Sequence, residues 1–141
     1  MLPYKRISAL FVLMAAAIAG GTTIVSASTS FDQIGSDIDG EAVGDSSGIS
    51  SSLSSDGTMV AIGAYGNGSN AGHVRIYEWN GTAWAQKGND IDGEAANDQS
   101  GISVSLSSDG TIVAIGAYLN GDLDTDTGTD AGHVRIYEWN G

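Results

Sequence analysis

The stretch Asp122-Leu-Asp124-Thr-Asp126-Thr-Gly128-Thr-Asp130 holds the densest chemistry in the chain. Counted from Asp122, carboxylates stand at loop positions 1, 3, 5 and 9, and the Gly128 carbonyl stands at position 7. Calcium takes about six to eight hard oxygen ligands, and carboxylates at such intervals can converge on one ion. The Gly that EF-hand loops carry at position 6 is replaced by Thr127, and no Glu stands at position 12. The plain alternative is a solvated acidic loop tip. Asp122, Asp124, Asp126, Gly128 and Asp130 are therefore the expected Ca²⁺ ligands.

A second set of carboxylates occurs twice. Asp37, Asp39, Glu41 and Asp45 recur as Asp90, Asp92, Glu94 and Asp98. Recurrence suggests turn chemistry, with Asp side chains capping backbone N–H groups and Gly40 and Gly93 at positive φ; a metal is the alternative. His73 and His133 each stand two residues before an arginine, Arg75 and Arg135. Imidazole could serve as a ligand or a base, but two identical settings point to packing or a hydrogen bond. Trp79, Trp84 and Trp139, with Tyr77 and Tyr137, could stack on sugar rings. In a small repeat protein such residues more often fill the core between repeats. Ser is so abundant that its co-occurrence with His and Asp carries no weight for a catalytic triad. No enzyme is expected from these residues, and no catalytic residue or organic cofactor site is assigned.

Composition bounds the setting. Residues 1–27 read as a secretory signal peptide: Lys5 and Arg6, an apolar run from Ile7 to Ile18, and small residues at Val25-Ser26-Ala27. The remainder, 28–141, keeps three basic residues against all seventeen acidic ones, a formal charge of −14. Such a surface repels nucleic acid and anionic lipid. The chain has no Cys, which excludes a disulfide framework and a lipidated cysteine. The expected location is secreted or at the cell surface, with no membrane span once the signal is cleaved.

The elements that must position these groups are written twice. Gly35–Tyr65 and Gly88–Tyr118 are identical at 25 of 31 positions, an offset of 53 residues. Beyond them the second copy has seven extra residues, so His73 pairs with His133. Repeat 1 spans about 31–83 and repeat 2 about 84–141. Such identity between neighbours indicates tandem duplication. Ile102-Ser-Val-Ser-Leu106 alternates apolar and polar, the period of a half-buried strand. Thr58–Ala64 and Thr111–Ala117 are continuous apolar runs, which suit strands covered on both faces. His73–Trp79 and His133–Trp139 are β-branched and aromatic. A fourth strand is expected over Thr82–Lys87. Asp56-Gly57, Asp109-Gly110 and Asn80-Gly81 suggest type I′ turns.

The expected fold is all-β: tandem four-stranded antiparallel β-meander repeats after an N-terminal signal peptide, forming a partial β-propeller of about two blades. A long polar connection after each meander suits that architecture. The phase of the repeat, stopping at Gly141 after a third strand, suggests a C-terminal truncation, with neighbouring blades supplied by missing sequence or by other chains.

The run Ser-Gly-Ile-Ser-Val-Ser-Leu-Ser-Ser-Asp-Gly-Thr-Ile-Val-Ala-Ile-Gly-Ala at 100–117 resembles the FG-GAP repeat of integrin-α-like β-propellers, in the form found in secreted bacterial surface proteins. The likeness extends over about 31–141. Ser47-Gly48 and Ser100-Gly101 stand where the family has an aromatic before Gly, and the calcium loop between its first two strands is reduced to Ser-Ser-Asp-Gly. The resemblance implies an exported, non-enzymatic module for surface adhesion or for binding an extracellular protein or glycan, assisted by calcium. A scaffold fragment of a secreted polysaccharide-acting enzyme, or a purely structural array, is the alternative.

Overall fold

The computed structural model describes residues 30–121 and 131–141. The signal-peptide reading of 1–27 and the Asp122–Asp130 loop lie outside them. Asp32–Gly141 forms one compact unit.

The first sheet runs β1 (Ser50–Leu53), β2 (Met59–Ala64), β3 (His73–Trp79), β4 (Trp84–Gln86), all antiparallel. A short strand from the following linker, β5 (Ile91–Asp92), pairs with the other end of β3, His73 opposite Asp92 and Val74 opposite Ile91. The second sheet is β6 (Ser103–Leu106), β7 (Ile112–Ala117), β8 (His133–Glu138). The fold is thus all-β with two antiparallel sheets, which do not close into a ring. The expected fourth strand appears in the first sheet, two residues shorter at its start and one at its end than the sequence suggested. Among the described residues the second sheet has three strands.

The registers of the two sheets are copies. Leu53 lies opposite Val60 and Val60 opposite Tyr77; Leu106 lies opposite Val113 and Val113 opposite Tyr137. Cross-strand partners share a face, so each sheet has a front (Leu53, Val60, Ile62, Tyr77; Leu106, Val113, Ile115, Tyr137) and a back (Met59, Ala61, Val74, Ile76; Ile112, Ala114, Val134, Ile136). The core forms where the back of the first sheet meets the front of the second. Met59, Ala61 and Val74 are buried there against Leu106, Val113 and Ile115, with Ile91 from the linker. Val60, Ile62 and Tyr77 make a smaller cluster on the front of the first sheet with Ile38 and Trp84. β2 is buried along its whole length, as its unbroken apolar run requires.

Three local expectations need correcting. The Asp-Gly turns are not type I′, since only the glycine takes positive φ, Gly57 at 70° and Gly110 at 76°. The Asp56 side chain instead accepts hydrogen bonds from the hydroxyls of Ser54 and Thr58 and from the Thr58 N–H, and Asp109 does the same with Ser107 and Thr111. Asn80-Gly81 likewise turns on the Asn80 carboxamide, which accepts from Thr82 and Ala83. Second, Gly40 and Gly93 do not adopt positive φ. Gly93 is needed for proximity: a Cβ there would stand 2.0 Å from the Ala71 carbonyl oxygen. Third, the all-β expectation meets one exception, a short helical stretch α1 (Asn67–Asn70) after β2, although Gly68 and Ser69 within it are left-handed.

Candidate functional site

The two carboxylate-rich linkers are drawn onto the sheets by the third strand of each repeat. Alternation along β3 puts His73 and Arg75 on one face with Tyr77. Arg75 is buried, and its Nη2 donates to the Asp39 carbonyl at 2.7 Å while its Nη1 lies 3.9 Å from the Glu41 carboxylate. His73 is 1% exposed, and its Nδ1 faces two carboxylates, Asp90 at 3.5 Å and Glu41 at 3.8 Å. The second repeat copies this. Arg135 Nη2 donates to the Asp92 carbonyl at 2.6 Å, Arg135 Nη1 lies 3.9 Å from Glu94, and His133 Nδ1 lies 3.6 Å from Glu94.

The donor atoms of Glu41, His73 and Asp90 all lie within 4.8 Å of one another. One imidazole nitrogen and two carboxylate oxygens at that spacing could bridge a divalent ion such as zinc. Two observations favour a structural clamp instead. The Arg75 guanidinium already occupies one side of Glu41, which disfavours a second cation. The His133–Glu94 pair keeps almost the same separation without a second carboxylate close to His133 among the described residues. Among the described residues, His73 Nε2 and the Nε atoms of Arg75 and Arg135 are buried without hydrogen-bond partners. The His73 side chain is 1% exposed, and the His133 side chain is 29% exposed. The carboxylates around His73 could not be foreseen by local spacing, because Glu41 and Asp90 come from two successive linkers on either side of it.

Asp45 and Asp98 perform the expected turn chemistry. Asp45 accepts from the Ala42 N–H and from the Asn67 carboxamide; Asp98 accepts from the Ala95 N–H and from Asn120. Asp109 is held from the ordinary 3.8 down to about 2, first by the Ser107 hydroxyl and then by the Thr111 N–H and hydroxyl. Asp56 is lowered in the same manner, first by the Ser54 hydroxyl. Tyr77 is raised by burial.

The segment Gly44-Asp45-Ser46-Ser47-Gly48 matches the spacing of a nucleophile elbow. Ser46 has φ 55°, but it lies in a loop rather than between a strand and a helix. Its repeat counterpart is Gln99, with φ 56°. The conformation therefore belongs to the repeat turn, and a residue without a hydroxyl serves it equally well.

Trp84 packs against the smaller core cluster, whereas Trp139 is exposed. Trp79 and Trp84 pair with ring centroids 5.5 Å apart, and the Trp84 indole donates to the Ile34 carbonyl. Trp139 is 44% exposed, with the Lys87 ammonium 5.0 Å from its ring centroid. It rims a cleft between the sheets, lined by Ile76, Lys87, Ile91, Tyr137 and Glu138. Among the described residues no helix is long and apolar enough to cross a membrane.

Comparison with protein-family models and with curated proteins finds no match.

Proposed function

We propose that this chain is a non-enzymatic, exported repeat module of the FG-GAP β-propeller type, whose work is to present a binding surface to an extracellular protein or glycan. The observation that carries the reading is the symmetry of its charged groups. The histidine, the arginine and the linker glutamate occur in both repeats at nearly the same separations, and they hold linker to sheet. A catalytic centre needs unlike groups converging, whereas a scaffold keeps them alike.

The recess that suits a ligand is the cleft beside Trp139. It combines an exposed indole face, the Tyr137 ring, and the charged ends of Lys87 and Glu138. Aromatic faces with polar groups at their edges are what both sugar rings and peptide side chains stack on. The sheets would be blades, and calcium in the Asp122–Asp130 loop would stiffen the surface near them. Glycan and peptide arrays probed with the wild-type chain and with Trp139→Ala test the reading: binding that the substitution lowers tenfold or more supports it, and turnover of a bound polysaccharide would overturn it in favour of an enzyme scaffold.

A further inference from the structure

We propose that the back of the second sheet receives the front of the first sheet of a second copy of this chain, head to tail. The internal junction is the template, because the open back of the second sheet and the open Leu53 edge of the first sheet's front are copies of surfaces that mate in the middle.

Side-chain exposure shows the open face. On the back of the second sheet Ile112 is 41%, Val134 66% and Ile136 70% exposed. Their counterparts on the first sheet, Met59 and Val74, are 7% and 0% exposed because the second sheet covers them. At the other end Leu53 is 59% exposed, while Leu106, its counterpart, is 9% exposed in the junction. The rest of that front is already covered: Val60, Ile62 and Tyr77 are buried with Ile38 and Trp84, so the open part of the first sheet's front is its Leu53 edge.

The glycines carry the same message independently. A Cβ on Gly63 would stand 2.0 Å from the Gly101 carbonyl oxygen across the junction, and one on Gly110 would meet Met59 Sδ at 2.5 Å. The copies of these residues at the open ends have no such neighbours. Gly116 meets only its own sheet's Ser103, and Gly48 and Gly57 meet nothing within 4 Å. Among the described residues, close-approach glycines thus stand at both outer faces with no second sheet over them.

Three hydrogen-bonding groups repeat the pattern. The Ser50 hydroxyl donates to the Gly101 carbonyl at 2.7 Å, the Leu106 N–H donates to the Ser52 hydroxyl at 3.0 Å, and Ser55 donates to the Ser108 carbonyl at 2.9 Å. Shifted by one repeat, Ser103 would donate to Gly48, Ser105 would accept from Leu53, and Ser108 would donate to Ser55 of the second copy. Such a contact joins unlike faces, so it extends to a ring or a filament rather than ending at a symmetric pair.

Sedimentation velocity of the full chain over a wide concentration range, with Ile136→Glu, Leu53→Glu and their mixture, is the test. Both substitutions fall at exposed positions, and matching circular dichroism establishes that each variant folds. The expected result is concentration-dependent association of wild type, its loss in each variant alone, and a one-to-one complex when the variants are mixed, since one keeps the open front and the other the open back. A wild-type monomer at every concentration overturns the proposal and assigns the open face to a further repeat or to another protein. Association that survives Leu53→Glu overturns it in favour of back-to-back pairing. Neither outcome depends on ligand binding at the Trp139 cleft.

Discussion

Gly101 passes so closely over Gly63 that a methyl group on Gly63 would stand 2.0 Å from the Gly101 carbonyl oxygen. The contact joins the fifth residue of the first sheet's second strand to the turn that opens the next sheet, and the Ser50 hydroxyl closes on the same carbonyl at 2.7 Å. Gly63→Ala should therefore force two backbones apart. Overpacking of this kind costs about 1–3 kcal/mol, and backbone cannot yield as a side chain can, so the upper end is expected. The same change at Gly116 meets only the Ser103 hydroxyl, at 2.3 Å, which can rotate away. Its effect should stay within about 1 kcal/mol. Urea midpoints of the two variants, measured at low protein concentration, check the difference; equal losses would contradict the asymmetry.

Arg75 and Arg135 offer a second paired comparison. Each donates to a linker carbonyl and lies over a tyrosine ring, Arg75 at 5.6 Å and Arg135 at 5.5 Å from the ring centroids. The Arg75 side chain is 7% exposed and the Arg135 side chain 20%. Hydrogen bonds to charged groups are worth about 1.5–3 kcal/mol, more when the group left behind is buried. Arg75→Ala should lose about 2–3 kcal/mol by thermal or urea unfolding, and Arg135→Ala about 1 kcal/mol. Loss of the first should also expose the 37–41 linker to proteolysis.

The exposed turn carboxylates set part of the acid limb of stability. Asp109 has a folded-state pKa of about 2 against an ordinary 3.8. A depressed folded pKa means the stabilisation is complete above the ordinary value and is lost as pH falls through 3.8 towards about 2. Asp109→Asn keeps an acceptor for Ser107 and Thr111 but removes the titration. Its melting temperature should fall less steeply than wild type between about pH 5 and 2. Superimposable slopes would remove Asp109 from the account.

Calcium titration separates the two acidic systems. If Asp122–Asp130 is the calcium loop, isothermal titration should give binding heat in the wild type that Asp124→Ala/Asp126→Ala abolishes. Glu41→Gln, at the His73 clamp, should leave that heat unchanged, because Arg75 already neutralises the Glu41 carboxylate. Equal heats from wild type and the double variant would end the calcium proposal.

The strands were legible because their signals are local. The apolar run Met59–Ala64 and the alternation ending in Leu106 state burial on two faces and on one, and β2 and β6 fall there. The turns were misread because Asp-Gly favours positive φ at both residues only when no side chain offers the backbone a better partner. Here the Asp56 carboxylate collects Ser54 and Thr58, and the turn takes another form. The grouping of Glu41, His73 and Asp90 was not legible, since it depends on where two linkers return. Gly93 was singled out correctly but for the wrong cause: the crowding comes from Ala71, twenty-two residues earlier.

The pairing of Ile91 and Asp92 with Val74 and His73 places the opening of the second repeat's linker in the first repeat's sheet. The unit that was duplicated and the unit that folds are therefore out of phase. During synthesis the first sheet cannot gain its last edge until residues well past Gly88 have emerged. A gene rearrangement that adds or removes one internal period still leaves each sheet that has a successor with an edge strand supplied by it, so the array can change length without redesigning its internal junctions.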